Sequence, residues 1–376
     1  MVSKERRRIL QAAGGGAFAA LSGVSGAGIS LAAGGNDALR WGIVGTGSIA
    51  NRMASRIQQA ESADLVAVSS RKMETATEFA RKHSIPNTFD SWAEMAAWNG
   101  VDALFIATPS SVKEEIGVAA ASHRKHVLAD KPFADLPSLQ SITSACRKHD
   151  IVFMDGTHFV HHPRTANIRA RMGEIVGAPW ALHSAFQFNL KDRSNIRYNP
   201  ALEPYGAIGD AGWYCMRAAV EYLAPDAKLV SASSYLRRDA ETGAAISGSG
   251  VIQLDDGSTS SWTCGFDSGV GLAELRMTGI GGILTVDDFI RNRADGSAHY
   301  RFRKAGSPRR SDPVEVQVES SKPADVQLFE NFAAAVVDKK LREQYMRASE
   351  KTQTLLDAAW QSAIENESRS GLEGNS

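Results

Sequence analysis

The chain has 376 residues, more than one ordinary domain needs, and 43% of them are hydrophobic. This composition excludes a disordered chain, a coiled coil and a protein with many membrane spans. The 42 basic residues balance the 42 acidic residues, so no positive surplus favours general binding to nucleic acid. The three cysteines, Cys146, Cys215 and Cys264, are widely spaced, which excludes a disulfide framework and a paired-cysteine zinc site.

Residues 1–35 have the organisation of an export signal. A short basic segment, Met1–Arg8, precedes an uncharged stretch that is rich in alanine and glycine. The run Arg6-Arg7-Arg8-Ile9-Leu10 is similar to a twin-arginine signal. We therefore expect export to the periplasm or beyond; the alternative is an uncleaved anchor or a disordered tail, and without a functional signal the protein is cytoplasmic.

A strand, a glycine turn and a helix follow this segment. The apolar run Leu39–Val44 predicts a strand, and the next residues, Gly45–Ala50, fit the G-x-G-x-x-A pattern of a dinucleotide-binding turn. In this pattern Gly45 permits the turn, and Gly47 lets the backbone approach a pyrophosphate at the helix N-terminus. A plain glycine turn is the alternative. We predict that the cofactor contacts Gly45, Thr46, Gly47, Ser48 and Ile49.

The end of the second predicted strand, Leu65–Ser69, bears on the choice of cofactor. An NAD site usually has Asp or Glu here to bind the ribose hydroxyls, whereas this chain has Ser70, Arg71 and Lys72. No carboxylate repels a 2′-phosphate at this position, and a guanidinium is able to pair with one. We therefore expect NADP, with contacts from Ser70 and Arg71. NAD remains possible, because Arg71 could instead be a solvated residue that opens the next helix.

Strands and helices continue to alternate up to residue 155. The predicted helices are Met73–His83, Glu114–Ser122 and Leu136–Lys148, and the strands are Ala103–Ala107, His126–Ala129 and Ile151–Met154. This alternation predicts an α/β fold whose first domain, residues 36–155, has a doubly wound parallel sheet. Ligands of such sheets bind beyond the carboxyl ends of the strands. Four further cofactor contacts are expected there: Thr108, Pro109, Asp130 and Lys131.

The second half of the chain has the pattern of an α/β domain, residues 156–345, followed by a C-terminal helix and tail, residues 346–376. Successive strands are predicted at Pro179–Phe188, Lys228–Arg237, Ala245–Leu254, Ser258–Asp267 and Leu272–Thr278, and helices at Val326–Val337 and Ser349–Asn366. The sequence Asp255-Asp256-Gly257 indicates a hairpin turn between two of these strands.

Four motifs occur in order at a spacing that resembles the glucose–fructose oxidoreductase, inositol dehydrogenase and rhizopine catabolism (Gfo/Idh/MocA) family. They are Gly45-Thr46-Gly47, Thr108-Pro109, Lys125–Pro132 and Gly209–Tyr214, and the resemblance extends from Leu39 to about Asn366. The branch with dimeric dihydrodiol dehydrogenase and xylose dehydrogenase is the most similar. The resemblance implies an N-terminal Rossmann domain and a C-terminal domain with an open, mainly antiparallel sheet that often supports homo-oligomers.

The resemblance also implies catalytic roles. The family's catalytic lysine falls on Lys131, its downstream acid on Asp210 and its proton-transfer residue on Tyr214. Since a nearby ammonium favours a phenolate, we expect Lys131 to lower the pKa of Tyr214, and Asp210 to bind a substrate hydroxyl or orient Lys131. The alternatives are a surface lysine, a capping aspartate and a packed tyrosine. One departure is that the family often has a histidine shortly after Thr-Pro, where this chain has Ser110–Lys113.

Histidines that follow the sixth predicted strand are candidates for the substrate pocket. We expect His158, His161 and Arg164, together with Asp210, to contact substrate; surface solvation is the alternative for each. Although His158, His161 and His162 are close in sequence, they lack accompanying cysteines or carboxylates in a recognised ligand pattern, so we expect no metal.

Together these features predict an exported, NADP-dependent oxidoreductase that transfers hydride between nicotinamide and a CH–OH or C=O group of a sugar or cyclic polyol. Two alternatives remain: an enzyme that retains its cofactor, like glucose–fructose oxidoreductase, and a non-catalytic sugar or cofactor sensor. The expected partners are a small-molecule sugar or polyol and further copies of the chain through the C-terminal sheet. Neither nucleic acid nor stable membrane insertion of the mature protein is expected.

Overall fold

The computed structural model describes residues 38–223, 226–293, 296–308 and 310–373. The predicted export signal, residues 1–35, therefore lies outside the described residues. Within the described part of the chain, no helix combines the length and the apolar character that crossing a bilayer requires.

Six parallel strands form the first sheet, in the spatial order β3-β2-β1-β4-β5-β6. They are β1 (Leu39–Val44), β2 (Ala63–Ser69), β3 (Asn87–Phe89), β4 (Ala103–Ile106), β5 (His126–Ala129) and β6 (Phe153–Asp155). The helices that connect them are α1 (Ser48–Ile57), α2 (Met73–His83), α3 (Trp92–Ala97), α4 (Lys113–Ser122) and α5 (Leu136–His149). This strand order confirms the doubly wound parallel sheet.

A second, nine-stranded sheet follows, in the order β15-β14-β13-β12-β7-β10-β9-β8, with β11 paired to β7. Its strands are β7 (Pro179–Asn189), β8 (Leu229–Arg238), β9 (Ala245–Leu254), β10 (Thr259–Gly265), β11 (Asp267–Leu272), β12 (Leu275–Gly279), β13 (Gly282–Val286), β14 (Ala298–Lys304) and β15 (Val314–Val318). Every described pair is antiparallel except β7 with β10. The predicted open, mainly antiparallel sheet is confirmed.

Five helices belong to the second half: α6 (Pro163–Ile175), α7 (Gly206–Asp210), α8 (Gly212–Tyr222), α9 (Ala324–Val337) and α10 (Lys339–Glu373). The last helix begins ten residues earlier than the predicted Ser349, because the Asp338 carboxylate accepts hydrogen bonds from the backbone N–H groups of Lys340 and Leu341. Residue 346 therefore lies inside α10, and the domain limits drawn from the sequence stay predictions. One predicted strand, Ser258–Asp267, is two: β10 ends at Gly265 and β11 begins at Asp267.

Helix α10 ties the two sheets together along its length. In its first half Glu350 accepts a hydrogen bond from Arg147 of α5 at 2.8 Å, and near its end Glu367 accepts one from Arg238 of β8 at 2.7 Å. Next to Glu350, Ser349 donates to the buried Asp155 at the end of β6 at 2.5 Å. The carboxyl edge of the parallel sheet is therefore held against the second domain, and α7 and α8 lie beside it.

Candidate active site

The glycine turn between β1 and α1 is shaped for a close ligand. Gly45 has a φ of +102°, and a Cβ there would lie 2.8 Å from the carbonyl oxygen of Ala107. A Cβ on Gly47 would meet nothing within 4 Å. Asn51 donates to the carbonyls of Thr46 and Gly47 at 3.2 and 3.1 Å, which stabilises the turn. No side chain among the described residues caps the start of α1, so its first N–H groups are available to an anion.

Two buried hydroxyls near this turn lack partners among the described residues. They are Ser69 Oγ at the end of β2 and Thr108 Oγ1 after β4. Beyond them Arg71 is exposed and makes no ion pair within the described ranges. Buried hydroxyls without hydrogen-bond partners are unfavourable. This edge of the sheet therefore fits a polar ligand that would supply those partners. The predicted cofactor residues Ser48, Ile49, Ser70 and Pro109 lie along the same edge.

The predicted catalytic residues come together beside this edge. Lys131 Nζ donates to Asp210 Oδ1 at 2.5 Å and to the Asp210 carbonyl oxygen at 3.0 Å. The same ammonium lies 4.8 Å from the centre of the Tyr214 ring. The loop after β5, helix α7 and helix α8 each supply one of the three residues, and all three are less than a tenth exposed. They form what we call the catalytic cluster.

Arg197 is a fourth member of the catalytic cluster that the sequence did not indicate. Its Nε and Nη2 atoms donate to the two carboxylate oxygens of Asp210 at 2.8 and 3.2 Å. Arg197 lies in a single helical turn, Ile196–Tyr198, within the loop before α7. A lone arginine in a loop has no spacing signal, so only the fold reveals this contact.

The charges of the catalytic cluster follow from these contacts. Burial alone would lower the pKa of Lys131, but Asp210, with smaller contributions from Tyr214 and Asp130, outweighs burial and holds that pKa above the usual value. Burial alone would raise the pKa of Asp210, but Lys131 and Arg197 hold it well below the usual range. At neutral pH the group is therefore an ammonium and a guanidinium that share one carboxylate.

The expected lowering of the Tyr214 pKa is wrong for the protein without ligands. Burial raises the pKa of Tyr214, and Asp130 and Asp210 add to that rise, while Lys131 opposes it without prevailing. The reason is geometric: the ammonium lies over the ring, and Asp210 partly neutralises it. Tyr214 is therefore a neutral phenol at neutral pH.

One of the predicted substrate histidines reaches the cluster. His158 Nδ1 is 3.5 Å from Tyr214 Oη, and the two rings meet edge to face with centroids 5.8 Å apart. Burial, with a contribution from the Arg52 charge, lowers the pKa of His158 to about 3. The imidazole is therefore neutral at neutral pH.

The structure does not bring His161 and Arg164 to Tyr214. Asn331 lies at hydrogen-bond distance, 3.0 Å, from His161 Nδ1. The Arg164 guanidinium donates to the carbonyls of Asp288 and Phe289 at 2.7 and 2.6 Å. One ring nitrogen of His161 and two guanidinium nitrogens of Arg164 thus have partners within the protein, which favours a structural role, and the contact of both residues with substrate stays a prediction.

Lys113 lies in the segment after Thr108-Pro109, where the chain departs from the family pattern. Its side chain is 2% exposed, and Nζ donates to the carbonyl of Pro132 at 2.7 Å. The first residue of α4 therefore holds the backbone of the residue that follows Lys131. A charged residue at the start of a helix normally indicates solvent exposure, which is why the sequence did not predict this contact.

A buried ion pair supports the cluster from behind. Arg217 of α8 donates to Asp155 at 2.6 Å, and both side chains are 2% exposed. The other Asp155 oxygen accepts from the backbone N–H of Thr157 at 3.0 Å, and Trp213 donates to the Thr157 hydroxyl at 2.7 Å. These bonds fix α8, and with it Tyr214, against the end of β6.

Other polar sites in the described residues are less suited to catalysis. Within those residues, no group of three or more His, Cys, Asp or Glu side chains could hold a metal ion. Two grooves of about 430 and 340 Å³ lie on the second sheet, and Arg164 is the one predicted site residue that lines either of them.

A parallel sheet of this order with a glycine turn at its first crossover defines a dinucleotide-binding domain. Residues 39–157 match the Gfo/Idh/MocA model, described as an oxidoreductase family with an NAD-binding Rossmann fold. This match confirms the resemblance that the motifs predicted.

Several characterised enzymes are similar to the chain. A scyllo-inositol 2-dehydrogenase (NADP(+)) of Bacillus subtilis is 32% identical over 48% of this chain and 57% of its own length. A D-xylose 1-dehydrogenase (NADP(+)) of Haloferax volcanii is 27% identical over 61% of this chain and 70% of its length. A trans-1,2-dihydrobenzene-1,2-diol dehydrogenase of Danio rerio is 30% identical over 48% of this chain and 54% of its own length. The chain thus spans little more than half of the first and third of these relatives.

Solved structures extend the likeness in fold to both domains. KijD10, a 3-ketoreductase from Actinomadura kijaniata in complex with NADP and TDP-benzene, superposes with a TM-score of 0.77 at 22% identity, over 85% of this chain and 96% of that one. An aldose-aldose oxidoreductase from Caulobacter crescentus gives a TM-score of 0.76 at 19% identity, over 88% of this chain and 98% of that one.

Proposed function

We propose that this protein is an NADP-dependent oxidoreductase that acts on a hydroxyl or carbonyl group of a sugar or cyclic polyol. The observation that carries the proposal is the catalytic cluster, in which Lys131, Asp210 and Tyr214 meet beside the carboxyl edge of the parallel sheet. The names of the curated relatives support both the cofactor and the substrate class.

Groups without a partner among the described residues support the proposed cofactor contacts. The diphosphate would lie at the N-terminus of α1 over Gly47, where the backbone is open. Arg71 would pair with the 2′-phosphate, and Thr108 would bind through its buried, unpartnered hydroxyl. When bound, the nicotinamide supplies the carbon that gives or takes the hydride.

The protein's own part is to move and stabilise a proton at the substrate oxygen. Tyr214, a neutral phenol at neutral pH, donates its proton to the carbonyl oxygen in the direction of reduction. Lys131 has three N–H donors and gives two to Asp210, so the third would remain for the substrate oxygen, where negative charge develops. Asp210 holds this ammonium in place, and Arg197 in turn holds the Asp210 carboxylate.

A substrate screen tests the proposal directly. The purified protein is mixed with NADP or NAD and with a panel of aldoses, aldonates and cyclic polyols, and the absorbance of the reduced nicotinamide is followed. We expect turnover with at least one sugar or polyol, faster with NADP, and loss of that turnover in Tyr214→Phe. A protein that binds sugar and cofactor but never changes this absorbance would instead be a sensor.

We further propose export and self-association. Export rests on the sequence of residues 1–35, so replacing Arg6, Arg7 and Arg8 by Lys should keep the precursor in the cytoplasm; normal export of this variant would remove the proposal. Self-association rests on apolar side chains that the second sheet exposes, such as Tyr235 at 62% and Val251 at 45%. Sedimentation should then show a dimer or larger oligomer that Tyr235→Lys weakens.

A further inference from the structure

The hydroxyl of Tyr214 has one hydrogen-bond partner among the described residues, and it is His158 Nδ1 at 3.5 Å. Both side chains are 8% exposed, so water does not readily replace this partner. The histidine comes directly after β6, in the short turn His158–His161, while the tyrosine belongs to α8. The contact therefore joins the parallel sheet to the second domain at the catalytic cluster.

The tautomer of His158 determines the direction of this hydrogen bond. Burial lowers the pKa of His158 to about 3, so at neutral pH the imidazole carries one proton, on either Nδ1 or Nε2. With the proton on Nε2, the lone pair of Nδ1 faces Tyr214 Oη, and the phenol is the donor.

We propose that His158 is a positioning residue for Tyr214: it accepts the phenol's hydrogen bond at Nδ1 and holds the hydroxyl neutral and ready to donate until a substrate oxygen takes over as acceptor. The proposal rests on the proposed role of Tyr214 in proton transfer. A hydrogen bond that the neutral form donates disfavours the phenolate, so His158 adds to the effect of burial on Tyr214.

Five ionisable groups surround the pair formed by His158 and Tyr214, and a substitution of His158 does not replace any of them. They are Lys131 and Asp130 from the loop after β5, Asp210 from α7, Arg52 from α1 and Asp325 from α9. Arg52 and Asp325 are 2.8 Å apart and pair with each other. A change at His158 to a neutral residue leaves all five in place, so a change in pH dependence reports on the hydrogen bond.

The first measurement is nitrogen NMR of His158 in the protein without substrate at neutral pH. We expect Nδ1 to carry no proton and to give a resonance shifted by a hydrogen bond. Tyr214→Phe should move that resonance towards the value of a free imidazole nitrogen and leave Nε2 unchanged. A proton on Nδ1, or an Nδ1 resonance that does not move in Tyr214→Phe, would overturn the proposal. Neither result would contradict the proposed function.

The second measurement compares His158→Leu with the matched control His158→Asn, whose amide can offer an oxygen at the position of Nδ1. In carbonyl reduction, the basic limb of the kcat profile should move down by roughly one pH unit in His158→Leu, since one neutral hydrogen bond is lost. The same variant should lose about tenfold in kcat, with KM and NADP affinity kept.

His158→Asn should restore most of the wild-type pH profile and most of the wild-type kcat. A histidine with a merely structural role would not allow this recovery. A profile that is the same in wild type and His158→Leu overturns the proposal. Full turnover in Tyr214→Phe would instead refute the proposed function, and the two failures are thus distinguishable.

Discussion

The cofactor side and the catalytic side of the site are built in opposite ways. Around the glycine turn the backbone of Gly47 is open, Arg71 is exposed, and the buried Thr108 Oγ1 has no hydrogen-bond partner in the described part of the chain. In the catalytic cluster the protein supplies the partners itself, since Lys131 and Arg197 share the carboxylate of Asp210. A bound ligand would supply the missing partners on the cofactor side, whereas the protein itself supplies them in the catalytic cluster.

This difference has a consequence for mutation. Changes on the cofactor side should alter ligand affinity and leave the fold intact, because few protein contacts are lost there. Changes in or behind the catalytic cluster should alter turnover or stability, because they leave a buried partner unsatisfied.

Tyr214→Phe should have the largest effect on turnover. It removes the group that exchanges a proton and keeps the ring that Lys131 contacts, so kcat should fall by about a hundredfold to ten-thousandfold. NADP affinity, measured by fluorescence titration, should stay at the wild-type value, because the hydroxyl belongs to the catalytic side. Near-normal turnover would break the assignment of Tyr214.

The double variant with Lys131→Met sharpens this prediction. Lys131→Met should also suppress turnover, because it removes the ammonium beside the reacting oxygen. Both residues serve one proton transfer, so the two losses should not add in Tyr214→Phe/Lys131→Met. Strictly additive losses would show that the two side chains act in separate steps.

Arg217→Met should have the largest effect on stability. It leaves the Asp155 carboxylate buried at 2% exposure without its cation, and removal of one partner of a buried ion pair typically costs about 3–5 kcal/mol. Urea unfolding measures the loss. The matched control is Arg347→Met on α10, where the exposed pair with Glu343 should contribute little. Equal stability of the two variants would contradict the idea of a prebuilt catalytic side.

The same ion pair predicts an acid limit to stability. Burial alone would raise the pKa of Asp155, but Arg217 and the hydrogen bonds from Ser349 and Thr157 hold it below the usual value. A carboxylate whose pKa is lowered by folding stabilises the fold above its unfolded pKa, and this contribution is lost as the pH falls through the folded pKa. The free energy of unfolding should therefore decline in acid, and less steeply in Asp155→Asn.

The parallel sheet could be predicted from the sequence, and the reason is its burial. A strand covered on both faces is a continuous apolar run that ends at a turn residue, and β1 and β5 have the bounds that such runs predicted. Strand β3, Asn87–Phe89, has three half-buried residues and no such run, so it was missed. The second sheet was found strand by strand, but its register and its order depend on pairings between distant residues.

Within the candidate site, the motifs indicated Lys131, Asp210 and Tyr214 but neither their charges nor their neighbours. Tyr214 was expected to ionise easily because lysine lies near it, whereas burial has the larger effect on its pKa. Arg197 joins the cluster, and Lys113 binds the carbonyl of Pro132 beside it, through tertiary contacts that no local spacing encodes. Proximity in sequence to β6 did not distinguish His158, which reaches Tyr214, from His161, which does not.

Arg71→Ala should have the smallest effect and should confine it to the cofactor. Loss of a charge-assisted contact to a phosphate typically costs about 1.5–3 kcal/mol, so NADP affinity should fall about tenfold to a hundredfold. NAD has no 2′-phosphate, and its affinity should hardly change. Ser70→Asp is the complementary variant, because a carboxylate at the end of β2 accepts from ribose hydroxyls and repels the phosphate, which shifts preference towards NAD. Both variants should unfold at the wild-type urea concentration, since the exposed Arg71 makes no ion pair within the described part of the chain. An equal loss of affinity for both cofactors, or a large loss of stability, would show that the end of β2 does not recognise the 2′-phosphate and that the two sides of the site are not divided in this way.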